Sequence, residues 1–253
     1  MQTATRMTGK VALVTGAANE MGRATALRLA QLGCNLCLVD NQGARLDEVA
    51  REAREAGARV EPHVSDIAGA ENCRSAVARA VSAFGRLDAL CNIANAFYPA
   101  RAAEMSADDF ERTLAVNVAA PFYLFQAAIP HLLKANGAVV HVSSAASVIA
   151  APNTVAYSAS KAAINHMTRV LAKEYMEEQV RINAVVLGGI AVDMTPDRES
   201  PTGVDPRTVR RDSPARGTIS VDEVADLIAF LASDAAHAYH GACISMDKGM
   251  SLG

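Results

Sequence analysis

Tyr157-Ser-Ala-Ser-Lys161 is the segment whose residue types and spacing point most directly to chemistry. Residues four apart share one face of a helix, so the phenol and the ammonium project together. A free tyrosine ionises at about pH 10, too high for a base at neutral pH. A neighbouring cation favours the phenolate and lowers that value. With Lys161 supplying the charge, the pair becomes a candidate proton donor and acceptor. Upstream, Ser144 ends an apolar run, with Ser143 beside it. A hydroxyl at such a strand end can hydrogen-bond the oxygen of a reacting alcohol or carbonyl. A bare Tyr-x3-Lys is more often a solvated helix pair, so its meaning depends on what surrounds it.

A second segment supplies that setting. Val14-Thr-Gly-Ala-Ala-Asn-Glu-Met-Gly22 follows the first apolar run and opens a helical pattern. Glycines at such a junction let the backbone approach a pyrophosphate, which then sits on the helix N-terminus. Asp40 ends the next apolar run, 24 residues after Gly16. An acid there takes the ribose hydroxyls of NAD and repels the extra phosphate of NADP. Two glycines alone describe many tight turns, and an Asp alone caps many helices. Strand, loop, helix and acidic strand end together are more specific, and point to a dinucleotide.

These side chains need a scaffold of alternating strands and helices. Apolar strand-like runs fall at 11–15, 35–40, 59–64, 87–92, 138–142, 181–187 and 243–246. Helical patterns fall near 20–32, 43–57, 69–84, 108–134 and 156–178, with Gly57 and Gly85 as stops. Strands apolar on both faces, separated by helices, predict a parallel sheet with helices on both sides. A β/α barrel is the rival at this length. The phosphate-type junction after the first strand selects the α/β doubly wound arrangement instead. The expected architecture is a single Rossmann domain over 1–253 with a seven-stranded parallel sheet. Its cofactor half spans 9–135 and its catalytic and substrate half 136–253.

Composition narrows the function classes. Lys and Arg number 24 against 27 Asp and Glu, a net charge of −3, so nucleic acid is not the expected partner. No run approaches the roughly 20 apolar residues of a membrane span, and residues 1–10 lack the apolar stretch of a signal peptide. A cytoplasmic protein without a membrane partner is expected. Cys34-x2-Cys37 has redox spacing, but it opens a strand, where positions three apart face opposite ways. Both are expected as buried core thiols. No Cys or carboxylate cluster supports His237 and His240 as ligands, so no metal site is predicted.

Together these segments resemble the short-chain dehydrogenase/reductase family over essentially the whole chain. Thr15, Gly16 and Gly22 match the family's TGxxxGxG loop, while Glu20 replaces its middle glycine. Asn92 and Ala94 match the NNAG segment, from which Ile93 and Asn95 depart. Asp66, with Ile67 beside it, matches the acid that meets adenine. Gly188 and Ile190 match PGxIxT; Leu187 and Val192 do not. The resemblance implies NAD as cofactor, held by Thr15, Gly16, Asn19, Glu20, Met21, Gly22, Asp40, Asp66, Ile67, Asn92, Ala94, Tyr157, Lys161, Gly188 and Ile190. It implies Asn117, Ser144, Tyr157 and Lys161 as the catalytic set, Ser144 rather than Ser143 aligning with the family's serine. Tyr157 is then the general acid/base of hydride transfer at a secondary alcohol or ketone. Ser144 orients the substrate oxygen, and Lys161 lowers the tyrosine pKa and holds the nicotinamide ribose.

Two of these positions have physical consequences of their own. Pro121 lies four residues after Asn117 and lacks the N–H that would bond the Asn117 carbonyl. A bent helix there is expected to free that carbonyl for a water beside Lys161. Glu20 brings a Cβ and a negative charge toward the pyrophosphate, although a carboxylate is itself favoured at a helix N-terminus by about 0.3–1 kcal/mol. The expected compromise is a Glu20 that points outward while NAD binds.

Residues 193–217 are Pro-rich and charged, with five arginines against five acids, and are predicted to form a lid. By analogy Phe97, Tyr98, Ala146, Val148 and Ile190 line an apolar pocket for a hydrophobic small-molecule substrate. The family implies a homotetramer, or a homodimer, and apolar positions near 122–133 and 162–171 permit it. The alternative is a catalytically inactive, nucleotide-binding or regulatory relative, favoured by Glu20, Ile93 and Asn95. A lyase like the halohydrin dehalogenases fits less well, because that group carries Arg where this chain has Lys161.

Overall fold

Every residue of β1 (Val11–Thr15) is buried, because it lies inside a sheet whose two faces are both covered by helices. The computed structural model describes residues 5–191 and 216–252. Nearly all of the predicted lid at 193–217, with Val192, lies outside the described residues. After β1 come α1 (Glu20–Gln31), β2 (Asn35–Asp40), α2 (Gly43–Glu55), β3 (Val60–Val64), α3 (Ala70–Phe84) and β4 (Ala89–Asn92). Then α4 (Ala107–Leu114) runs through a π-helical turn (Ala115–Ala119) into α5 (Ala120–Ala135). β5 (Ala138–Ser144), α6 (Val155–Glu174), β6 (Arg181–Leu187), α7 (Val221–Ala232) and β7 (Cys243–Met246) complete the described elements.

All the strand pairs are parallel and the order is β3-β2-β1-β4-β5-β6-β7. This is the doubly wound α/β Rossmann arrangement, with seven strands as expected. Alternate residues of each strand feed two cores. Ala12, Val14, Leu36 and Leu38 pack under α1, α2 and α7, with Leu29, Leu46 and Ile228. Val11, Leu13, Cys37 and Val39 pack under α3, α5 and α6, with Val77, Leu124 and Leu171. Cys34 joins the first core and Cys37 the second, so the two thiols lie on opposite faces of the sheet. Burial pushes the Cys37 thiol up to about 12, and it raises Cys34 as well.

Local signals set the helix ends. Asn19 and Ser106 cap α1 and α4, and Ser220 with Glu223 forms a reciprocal box at α7. Gly85 adopts the left-handed conformation (φ 76°) at the end of α3. β5 ends at Ser144, the strand-end position expected of that serine, and pairs with β6 as far as Leu187. Other boundaries differ from expectation. β4 begins only at Ala89, because the Asp88 carboxylate turns back to accept the Val11 N–H at 2.9 Å. α6 stops at Glu174, four residues early. The helical run 107–135 is, contrary to the sequence reading, long and apolar enough to match a membrane span. Its apolar side, including Leu124, Ala128 and Leu132, packs in the second core.

Candidate active site

The strand order reverses between β1 and β4, and clefts form outside the carboxyl ends of strands at such a switch. The first loop there is folded by its own polar atoms. The Asn19 side chain accepts the Gly22 N–H at 2.8 Å, which fixes the start of α1. Asp40 accepts the Ala18 N–H and the Gln42 N–H, each at 3.0 Å, and so ties β2 to the loop. Thr15 Oγ1 accepts the N–H groups of Ile93 (3.1 Å) and Ala94 (3.2 Å), clasping the segment after β4. Gly16 needs to be glycine twice over: its φ is +66°, and a Cβ would lie 2.7 Å from Ala94 Cα. A Cβ on Gly22 would meet the Gly16 oxygen at 2.0 Å, so α1 packs directly on the loop.

Two adjoining cavities, about 260 and 630 Å³, open over this switch. Gly16, Asp40, Asp66, Ile67 and Ala94 line the first. Glu20, Met21, Ser144, Tyr157, Lys161, Gly188 and Ile190 line the second. Asn19, Gln42 and Asn95 border both. The cleft therefore has acids at one end, a helix N-terminus in its middle and a proton-handling group at the other. That sequence of chemistries fits a dinucleotide, and the close glycine packing keeps the middle open for it. Glu20 is exposed at the first position of α1 while still bordering the cavity. Thr15, Gly22, Asn92 and Asn117 line neither cavity. They are buried behind its walls.

At the reactive end β5 and α6 bring Ser144, Tyr157 and Lys161 together. Ser144 hydrogen-bonds the Tyr157 hydroxyl and accepts the Ala146 N–H at 3.2 Å. Ser143 instead donates to the Lys161 carbonyl at 3.1 Å, a structural tie between strand and helix. Burial raises the Tyr157 pKa, and the Ser144 bond works against that. The expected lowering by Lys161 is not among the causes: its Nζ lies 5.4 Å from the phenol ring centre and donates to the Val142 carbonyl at 3.1 Å. Lys161 itself is pushed down to about 8 by burial. Phe97 packs edge-on against the Tyr157 ring, with centres 4.9 Å apart.

Asn117 sits in the π-helical turn, where the Ala120 N–H reaches back five residues to the Ala115 carbonyl. Pro121 follows at the start of α5, so the irregularity falls where its missing N–H predicts. The Asn117 side chain is fully engaged. It donates to the Ala96 carbonyl and Ser160 Oγ, each at 3.0 Å, and accepts the Ala96 N–H at 2.8 Å. Asn92 meets His141 Nδ1 at 3.1 Å behind Lys161, and burial holds that imidazole near pKa 4, with the Lys161 charge a second cause.

The apolar lining differs in part from expectation. Phe97 and Ile190 line the reactive cavity, joined by Ile93 and Leu187. Tyr98 faces the other cavity, and Ala146 and Val148 line neither, Val148 being exposed. Sequence reasoning missed Arg112, which is brought to Asp66 from 46 residues away by α4. It also passed over His141, whose one signal was a polar residue inside an apolar strand.

Comparisons with known proteins agree with this geometry. A family model described as enoyl-(acyl carrier protein) reductase matches residues 16–251. The chain is similar to the 3-oxoacyl-[acyl-carrier-protein] reductase of Thermotoga maritima, being 33% identical over 98% of this chain and 100% of that protein. It is also similar to the crystal structure of a short-chain dehydrogenase from Mycobacterium paratuberculosis bound to NAD. That match has a TM-score of 0.90 and 26% identity, covering 98% of this chain and 100% of the other. Carveol dehydrogenase from Mycobacterium avium, in complex with NAD, superposes with a TM-score of 0.87 and 26% identity over 98% of this chain and 99% of that one.

Proposed function

The chain belongs to the short-chain dehydrogenase/reductase family, and from that premise we propose that it transfers a hydride between NAD(H) and a secondary alcohol or ketone. The observation that carries the reading is the meeting of Ser144, Tyr157 and Lys161 in a cavity that continues past the α1 N-terminus to Asp40. NAD supplies the hydride acceptor or donor when bound. Asp40 favours it over NADP, because a carboxylate repels a ribose phosphate.

Tyr157 takes the hydroxyl proton of the alcohol, or returns one to the ketone oxygen. Ser144 donates to that oxygen and offsets part of the pKa rise that burial imposes on the phenol. Lys161 keeps an ammonium near the tyrosine ring and within the cavity, where it would hold the ribose hydroxyls of a bound NAD. Asn117 holds Ala96 and Ser160, and so sets the wall beside Tyr157. Ile93, Phe97, Leu187 and Ile190 add an apolar side to an otherwise polar cavity, which favours a substrate with a hydrophobic part. The whole chain acts as one domain. The half-exposed Phe122, Val155 and Val170 on α5 and α6 give the homotetramer, or homodimer, its contact surface.

Thermal melts with NAD, NADH and NADPH test the reading. The first two should raise the midpoint and NADPH should do so little. No shift with any nicotinamide would sink it. A clear NAD shift without turnover of any hydrophobic secondary alcohol or ketone in a broad panel would instead favour a nucleotide-binding protein that does not catalyse.

A further inference from the structure

Arg112 has no part in the hydride-transfer scheme, yet it stands in the wall of the cavity that holds Asp40 and Asp66. Its guanidinium makes two parallel bonds to Asp66, Nη1 to Oδ2 at 2.8 Å and Nη2 to Oδ1 at 3.0 Å. The Tyr98 hydroxyl, from the same wall, is a further acceptor for it. Asp66 Oδ1 also accepts the Ala68 N–H at 3.1 Å, so the carboxylate is held from both sides. Ile67 and Val116 give the cavity apolar flanks beside this fork.

Stability does not explain the arrangement. The Arg112 side chain is 34% exposed and that of Asp66 47%, and ion pairs in such settings contribute little to folding. A guanidinium locked in its plane by a bidentate carboxylate has a different use. It presents a flat cationic face that stacks well on an aromatic base. Lysine offers the same charge without the plane.

We propose that Arg112 is a cofactor-positioning residue that clamps the Asp66 carboxylate and stacks its guanidinium on the adenine of NAD. The proposal rests on the NAD reading above and adds to it the residue that sets affinity at the adenine end. Calorimetric titration of the full chain with NAD and with ADP-ribose, both of which carry adenine, tests it. In Arg112→Met both ligands should bind roughly tenfold more weakly, and Arg112→Lys should recover little of the loss. The melting midpoint without ligand should stay close to wild type in both variants. Wild-type affinity in Arg112→Met, or full recovery in Arg112→Lys, would overturn the proposal. So would a loss of affinity accompanied by a large fall in the ligand-free midpoint of both variants. Failure of the wild-type protein to bind either ligand would overturn the NAD reading itself, a distinct outcome.

Discussion

Tyr157 is subject to two opposing pulls, burial raising its pKa and the Ser144 hydroxyl lowering it. In Ser144→Ala only the raising influence remains. Ionising the phenol then needs a higher pH, so the limb of the pH–rate profile for alcohol oxidation should move to higher pH. At neutral pH the turnover should fall by roughly a hundredfold, within the usual range for acid–base assistance. Steady-state rates from pH 6 to 10 (approximate limits) check both, and an unmoved limb would remove Ser144 from this role. Glu20 acts through charge instead. It is exposed, so water and salt screen it, and it still borders the cleft. Glu20→Gln should tighten NAD binding by about two- to fivefold at low salt and by less at high salt. Equal affinities in the two proteins at low salt would show a carboxylate that turns away. Tyr157, Lys161 and Ser144 were legible because their spacing is local to one helix and one strand end. Arg112 was not legible, since its partner is 46 residues away and only the packing of α4 brings them together.

The π-helical turn at Ala115–Ala119 shows what an element adds to its residues. Pro121 cannot donate to the Asn117 carbonyl, and the chain answers by widening one turn before α5 begins. Within that wide turn the Asn117 side chain bonds Ala96 and Ser160. Pro121→Ala restores the missing N–H and allows the turn to close into regular α-helix. Proline inside a helix costs about 3 kcal/mol, although here it stands near a helix start, so the variant should be at least as stable as wild type. Its turnover should nevertheless fall by roughly tenfold as Asn117 rotates out of register. Melting curves and kcat measured together decide the matter; unchanged kcat would mean that the wide turn serves packing alone. The strands and helices themselves were readable in outline from apolar runs. Some of their ends were not, since β4 is shortened by Asp88, whose carboxylate accepts the N–H of Val11, 77 residues away. The apolar pocket was read only in part for the same reason. Phe97 and Tyr98 are adjacent in sequence, yet they face different cavities.

At the scale of the whole molecule, the candidate site is held against the preference of one of its own groups. Lys161 is buried among β5 and α6 and ionises at about 8, below the usual 10.5. Between those two values the unfolded chain binds a proton that the folded chain has released, so this group makes stability rise with pH across that window. Below about pH 8 the folded protein carries the full penalty of a buried ammonium, on the order of 3 kcal/mol. Among the described residues its hydrogen-bond partner is the Val142 carbonyl, in a strand already held by the β5 ladder with β6. A methionine of similar length should fit the same channel without the charge. Lys161→Met should therefore melt several degrees higher than wild type at pH 7, at about 2–4 °C per kcal/mol for a chain of this size. The advantage should shrink as pH climbs from 8 toward 10.5, while turnover is lost throughout. His141, held neutral near pKa 4 partly by the same charge, should show its pKa move upward in the variant by NMR. A variant less stable than wild type at pH 7 would mean that the ammonium supports the fold. A more stable but inactive one would mean that the sheet and helices tolerate Lys161 at a cost, for the sake of the charge it places in the cavity.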